Sequence, residues 1–257
     1  MAERVLLVED NEIDRMVAAA FLGRLGYETE TAADGDRALA MLAAGSYDAV
    51  LLDCRLPGRD GFEVAAELRR REGTGPRTPV LALSAAAVAE ANRCRAAGMD
   101  EVLAKPVTLT TLGEALARWV RPAAAAPRTG GPTPVPAAPT GALDPARLAE
   151  LRDPDPAGYA ELMADLARSF ARRGTELLDR LTAAVHRGDA AGAAMEAHAL
   201  EGSAGNLGAA RLAGLAADVE TLARRGELTG AREILPGMAA EIGQVRRELA
   251  ELTATGG

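Results

Sequence analysis

Short apolar runs alternate with amphipathic segments along residues 1–121. Five of the runs have the length and composition of buried strands, and apolar residues at helical spacing follow each one. The predicted strands are Val5–Val8, Tyr27–Ala32, Ala49–Leu52, Val80–Leu83 and Val102–Ala104. The predicted helices are Ile13–Leu25, Asp34–Ala44, Gly61–Arg71, Val88–Ala97 and Thr108–Val120. A strand followed by a helix, repeated in this way, predicts an α/β doubly wound five-stranded parallel sheet.

After residue 141 the apolar residues recur only at helical spacing. A short first helix and four longer ones are predicted, with glycines at the breaks between them. They are Leu143–Leu151, Ala157–Val185, Asp189–Gly205, Ala209–Arg225 and Thr229–Leu252. Long helices joined by short loops predict an all-α four-helix bundle.

The segment between the two patterns, residues 122–141, consists almost entirely of Pro, Ala, Gly and Thr. Such a composition offers little apolar surface to bury, so we expect a flexible linker between domains at 1–121 and 142–257. A coil of this length has an end-to-end distance of roughly 25 Å. The tether would hold the two domains at an effective concentration of order millimolar, which permits transfer between them.

Composition narrows the class of protein. The 257 residues suffice for two domains with their own cores, and the net charge of −8 comes without a concentrated basic face, so we expect no nucleic-acid binding. No apolar stretch is long enough to span a bilayer, and the N-terminus lacks the pattern of a signal peptide. The two cysteines, Cys54 and Cys94, are too few for a disulfide framework, and we expect reduced thiols in a cytoplasmic protein.

Polar residues follow the predicted strands at their carboxyl ends, where a parallel sheet binds its ligands. They are Glu9 and Asp10 after the first strand, Asp53 after the third, Ser84 after the fourth and Lys105 after the fifth. Carboxylates without His or Cys favour a hard cation such as Mg²⁺. A carboxylate beside the ion can attack phosphorus, while a hydroxyl and an ammonium neutralise the phosphoryl oxygens. Lys105 is the single lysine in the chain, at a position that suits a compact, flexible charge.

These residues lie in the motifs VLLVEDNE, LLDCRLPGRDG, LALSA and AKP, which resemble the response-regulator receiver family over about the first 120 residues. The resemblance implies a flavodoxin-like fold with Asp53 as phosphoacceptor. It also implies that Glu9, Asp10, Asp53 and the backbone carbonyl of Arg55 hold Mg²⁺. Ser84 and Lys105 would contact the phosphoryl group, and the Lys105–Pro106 bond would be cis.

The sequence departs from the receiver pattern at two positions. Val102 stands where the family often has an aromatic residue that couples phosphorylation to an output face, so we expect no aromatic switch here. Ser84 stands where threonine is commoner, and this replacement keeps the hydroxyl group.

The chain contains two histidines, which differ in their surroundings. His186, in AVHRGD, is expected at a helix end as a solvated or capping residue. His198, in AMEAHALEGSAGNLGA, is expected within a helix, on the same face as Glu201 and Gly202. A glycine costs about 1 kcal/mol inside a helix. Its presence on this face either admits a partner or reflects close helix packing.

The motif AHALEGSAGNLGA resembles that of histidine-containing phosphotransfer (HPt) domains, together with LDPARLAELR, ELMADLARSF and DVETLARRGEL. The resemblance covers about residues 142–252 and implies that His198 accepts and donates a phosphoryl group through a ring nitrogen. The family usually has a lysine where Glu201 stands. We therefore expect slower transfer at His198, or compensation by an arginine of the partner.

The resemblances imply a two-component phosphorelay protein rather than an enzyme, because the chain has no ATP-binding kinase motif. A sensor or hybrid histidine kinase would supply the phosphoryl group, and a downstream response-regulator receiver would exchange it with His198. Met1 just before the first strand favours a complete protein, and a monomer is expected. Two alternatives stay open: a module that docks kinases without relaying, and a metal-dependent phosphatase. The second lacks an Asp-x-Asp arrangement, since Arg55 stands two residues after Asp53.

Overall fold

The computed structural model describes residues 2–120, 141–152 and 156–254. The chain divides into two compact units, Met1–Thr133 and Pro134–Gly257. Apart from Gly141, the predicted linker 122–141 lies outside the described residues. No helix in the described part of the chain combines the length and apolar character needed to cross a membrane.

The first unit is a five-stranded sheet in the order β2-β1-β3-β4-β5, with every neighbouring pair parallel. Its strands are β1 Arg4–Val8, β2 Glu28–Ala32, β3 Ala49–Asp53, β4 Val80–Ser84 and β5 Glu101–Ala104. Its helices are α1 Glu12–Arg24, α2 Gly35–Ala44, α3 Gly61–Glu72, α4 Ala87–Ala96 and α5 Leu109–Trp119. The predicted doubly wound parallel sheet is confirmed.

Burial explains why some strands were easier to predict than others. The strands β3 and β4 are buried along their whole length, so both read as continuous apolar runs. The edge strand β2 alternates exposed and half-buried residues before buried Ala32, so its sequence ETETA carries a weaker signal. The two cysteines lie in this unit as buried free thiols, with their Sγ atoms 3.6 Å apart.

The strand register brings the carboxyl ends of the central strands to one edge of the sheet. Val8 pairs with Leu52, and Asp53 pairs with Leu83. The start of α3 packs tightly beneath this edge: a Cβ on Gly61 would lie 2.1 Å from the backbone oxygen of Asp53. Only glycine therefore lets α3 begin this close to the end of β3.

The second unit consists of helices in the part that the structure describes. They are α6 Pro145–Leu151, α7 Pro156–Arg187, α8 Ala190–Leu207, α9 Ala210–Arg224 and α10 Leu228–Ala254. The long helix α7 packs against α8 and α10, and α9 packs against the same two helices, which closes a four-helix bundle. The helix α8 ends at Gly208, whose φ of +80° lies in the left-handed region. The predicted bundle is confirmed.

Candidate functional site

Three carboxylates converge at the carboxyl edge of the sheet. Glu9 and Asp10 follow β1, and Asp53 is the last residue of β3. One oxygen from each lies within 4.8 Å of the others. Glu9 and Asp53 are buried, whereas Asp10 is half-buried. The pocket thus lies between β1 and β3, where the strand order of the sheet reverses.

Lys105 reaches into this pocket from the loop after β5. Its Nζ lies 2.6 Å from Asp53 Oδ2 and 2.5 Å from Glu9 Oε2. Burial acts to lower the pKa of Lys105, but the charges of Glu9 and Asp53 raise it well above its usual value, so the ammonium stays charged. For Glu9 the effect of burial has the opposite sign: it raises the pKa well above its usual value, although the charge of Lys105 acts to lower it.

A fourth carboxylate, Asp14, was not singled out from the sequence. It lies in the first turn of α1, is buried, and places Oδ2 3.7 Å from Lys105 Nζ. Asp14 shares the buried face of α1 with Val17 and Ala18, three and four residues further on, so a charge on an apolar helix face was the signal available in the sequence.

Ser84, the last residue of β4, and Arg55, two residues after β3, lie at the same edge of the sheet. The Ser84 hydroxyl donates to Glu90 Oε2 at 2.5 Å and accepts from the Ala86 amide at 3.0 Å. The Arg55 amide donates to Asp53 Oδ1 at 2.9 Å, and its guanidinium lies 3.4 Å from Glu90. Sequence reasoning missed Glu90, one helical turn into α4. The role of the Arg55 carbonyl as a metal ligand stays a prediction.

The pocket's donor set fits a magnesium ion. All three clustered groups are oxygen donors, without sulfur or imidazole, which is the chemistry that hard divalent cations prefer. The Lys105–Pro106 peptide bond is cis, as the resemblance implied.

In the second unit, His198 lies in the middle of α8 and faces Glu220 of α9. Its Nδ1 lies 3.2 Å from Glu220 Oε2. Burial acts to raise the pKa of Glu220, but the hydrogen bond with His198 and the charge of Arg224 bring it below its usual value. An ionised carboxylate only accepts hydrogen bonds, so Glu220 is placed to accept one from Nδ1–H of His198.

Glu201 lies beside this pair, one turn further along α8. Its Oε2 is 3.9 Å from His198 Nδ1. Burial and the neighbouring carboxylate of Glu220 raise the pKa of Glu201 to about 7. Gly202 is half-buried on the same helix, and His186 is exposed near the end of α7.

Glu220 was not predicted as a functional residue. It is 8% exposed among the apolar positions of α9, such as Ala216 and Val219. A single charge on the apolar face of a helix was the signal that the sequence offered.

Comparison with known proteins agrees with both resemblances. Residues 5–117 match the model of the response regulator receiver domain, and residues 165–254 match that of the Hpt domain. Sensor histidine kinase RcsC of Salmonella typhimurium is 41% identical over 114 residues, which are 44% of this chain and 12% of that protein. Virulence sensor protein BvgS of Bordetella pertussis is 34% identical over 175 residues, 65% of this chain and 14% of that protein.

Among solved structures, the receiver domain of sensor histidine kinase PA1611 from Pseudomonas aeruginosa is 40% identical, with a TM-score of 0.43. The match covers 46% of this chain and 98% of that domain, which was described with a magnesium ion coordinated in its active-site cleft. The chain spans only 12% and 14% of the two curated relatives named above. A response regulator receiver domain followed by an Hpt domain makes this chain a member of the two-component phosphorelay proteins.

Proposed function

We propose that the chain is a two-site phosphorelay intermediate that takes a phosphoryl group on Asp53 and carries one on His198. The observation that carries the proposal is the buried ion pair of Lys105 with Asp53 and Glu9 at the edge of the sheet. An ammonium fixed beside a potential nucleophile suits a reaction that brings in a dianionic phosphoryl group.

At the first site, an oxygen of Asp53 attacks phosphorus while the bond from phosphorus to the donor's imidazole nitrogen breaks. The electron pair of that bond returns to the donor's nitrogen. Lys105, 2.6 Å from Asp53 Oδ2, is placed to stabilise the incoming phosphoryl oxygens. Ser84 would have to leave Glu90 before its hydroxyl reached the same group.

We assign the metal of this site to Glu9, Asp10 and Asp53, with the Arg55 carbonyl as a further ligand. When bound, Mg²⁺ would offset the negative charge of the phosphoryl oxygens. Three clustered carboxyl groups and the nearby Asp14 surround the single positive charge of Lys105. A bound cation would therefore reduce the repulsion among these acidic groups.

At the second site, Nε2 of His198 attacks the phosphorus of an aspartyl phosphate on a receiver, and the bond between phosphorus and the aspartyl oxygen breaks. The ring becomes positively charged as the nitrogen–phosphorus bond forms. Glu220, which accepts from Nδ1–H at 3.2 Å, holds the reactive tautomer and stabilises that charge. It is a positioning residue, since it acts through the ring. The same steps in reverse return the phosphoryl group to a receiver.

The Glu201 carboxyl group lies 3.9 Å from Nδ1 of His198 and so adds negative charge beside the ring that takes the phosphoryl group. We expect slower transfer at His198 than with a lysine at this position, or an arginine of the partner that neutralises the charge.

We assign the partners by this chemistry. A sensor or hybrid histidine kinase supplies the phosphoryl group, and a receiver of a downstream response regulator exchanges it with His198. We further propose that the chain works in the cytoplasm as a monomer, does not itself act as a kinase, and does not bind nucleic acid.

The test is incubation of the full chain with a radiolabelled, phosphorylated hybrid kinase and Mg²⁺. Wild type should retain label on both an aspartate and a histidine. Asp53→Ala should lose the acyl phosphate, His198→Ala should lose the phosphohistidine, and the matched control His186→Ala should behave as wild type. Label on neither residue would refute the relay and favour a docking module. Continuous release of inorganic phosphate from unrelated phosphate esters would favour a phosphatase.

A further inference from the structure

His198, Glu201 and Glu220 form a mixed nitrogen and oxygen donor set contributed by two helices, α8 and α9. The Nδ1 atom of His198 lies 3.2 Å from Glu220 Oε2 and 3.9 Å from Glu201 Oε2, and one donor of each residue lies within 4.8 Å of the others. Zinc binds such donors at about 2.0–2.2 Å, which in tetrahedral geometry separates neighbouring donors by about 3.4 Å. The measured separations lie on either side of that value.

The surroundings of the three residues also suit an ion. Arg224 binds Oε1 of Glu220 and thereby holds Oε2 toward His198. A ligand oriented in this way by a second hydrogen bond is typical of protein metal sites. The side chains of His198 and Glu201 are 23% and 34% exposed, so an ion can enter from solvent and keep a water molecule as its fourth ligand.

We propose that His198, Glu201 and Glu220 bind a divalent transition ion of the zinc class. The imidazole distinguishes this cluster from the all-oxygen pocket at Asp53, because nitrogen donors favour zinc and its neighbours over Mg²⁺. The proposal also gives Glu201 a role. The lysine that phosphotransfer domains usually have at this position would repel a cation, whereas Glu201 supplies an anionic donor.

Binding of the ion and phosphorylation of His198 exclude each other, a consequence that rests on the proposed function. In the proposed transfer, Nδ1 carries the proton and Nε2 has the lone pair that attacks phosphorus. An ion bound at Nδ1 takes the lone pair of that nitrogen, so the Nδ1 proton leaves to solvent. The ring regains a proton at Nε2 and stays neutral. The Nε2 atom then has no lone pair, and it cannot form a bond to phosphorus.

The binding test uses the full chain with ¹⁵N-labelled imidazoles, titrated with zinc chloride and followed by NMR. The two histidines make the spectrum site-specific, and exposed His186 is the internal reference. The His198 signals should shift and saturate before those of His186 move, and magnesium chloride should leave them unchanged. Glu201→Gln and Glu220→Gln should each weaken the response at least tenfold, while Glu227→Gln, an exposed control, should titrate as wild type.

The proposed site is refuted if both histidines shift together, if His198 does not respond, or if the two glutamine variants titrate as wild type.

A second assay measures phosphoryl acceptance at His198 with and without zinc. Wild type should lose acceptance as zinc binds and recover it with a chelator, whereas Glu201→Gln should keep accepting at the same zinc concentration. Acceptance by a zinc-loaded wild type would overturn the exclusion. Failure of acceptance without zinc would count against the proposed function and leave the binding result standing.

Discussion

The raised pKa of Glu201 predicts a specific dependence of stability on pH. Because the folded state favours the protonated carboxyl, this group stabilises the fold fully below its unfolded pKa of 4.5. That stability is lost as pH rises toward the folded pKa of about 7. Glu201→Gln resembles the protonated carboxyl at every pH, so the variant should not lose this stability.

The size of the effect follows from the same pKa. A rise from 4.5 to about 7 corresponds to roughly 3 kcal/mol at about 1.36 kcal/mol for each pKa unit. The Glu201 side chain is 34% exposed, and solvent screening reduces the expected effect to about 1–2 kcal/mol. The unfolding free energy of Glu201→Gln minus that of wild type should therefore be about 1–2 kcal/mol larger at pH 8 than at pH 5.

The assay is urea unfolding of the full chain with a chelator present, followed through the amide NMR signals of α8 so that the second unit is observed directly. Glu227→Gln, at the exposed turn between α9 and α10, controls for the loss of one surface charge. A difference between Glu201→Gln and wild type that is the same at pH 5 and pH 8 would refute the reasoning. So would an equal pH dependence in the Glu227 control.

Three further outcomes follow from the two sites. Glu220→Gln should slow phosphoryl acceptance at His198 about 5–30-fold, because it loses a charge-assisted hydrogen bond that contributes about 1–2 kcal/mol. Rapid-quench transfer assays measure this rate, and an unchanged rate would exclude a positioning role for Glu220. Lys105→Met should abolish acceptance at Asp53 and lower the first unit's unfolding free energy by about 3 kcal/mol, because buried carboxylates lose their counter-charge. Added Mg²⁺ should restore part of that stability, as measured by tryptophan fluorescence in urea. Gly61→Ala should cost about 1–3 kcal/mol in the same assay, since its Cβ would meet the backbone oxygen of Asp53 at 2.1 Å; an unchanged midpoint would contradict the close packing.

The sequence predicted the sheet well because burial leaves a direct mark on it. A central parallel strand is covered on both faces, so β3 and β4 are apolar without interruption until the chain reaches the edge. The residues at which the apolar runs stop, Asp53 and Ser84, are therefore also the ones at the carboxyl edge, where parallel sheets bind their ligands. The end of each apolar run thus predicted both where the strand ends and which polar residue lies at the edge of the sheet.

Contacts between distant elements left no such mark. Glu220 is 22 positions from His198 and meets it only because α8 and α9 pack side by side. The hydrogen bond from Ser84 to Glu90 spans only six residues, but it too depends on the path of the chain between β4 and α4. Helical periodicity predicts which residues share a face, but it does not predict which neighbouring helix that face meets. The partner of the predicted nucleophile therefore required the structure.

The charges at the two sites imply different controls on transfer. At Asp53, Lys105 is the counter-charge that the described part of the chain places against the clustered carboxylates, so we expect a divalent cation from solution to complete the neutralisation. At His198 the nearby cation Arg224 is engaged by Oε1 of Glu220, and Glu201 adds negative charge beside the ring. We therefore expect a docked partner to supply positive charge at this site. Acceptance at Asp53 should therefore depend on Mg²⁺ concentration, whereas transfer at His198 should depend on which receiver is docked and fall with ionic strength.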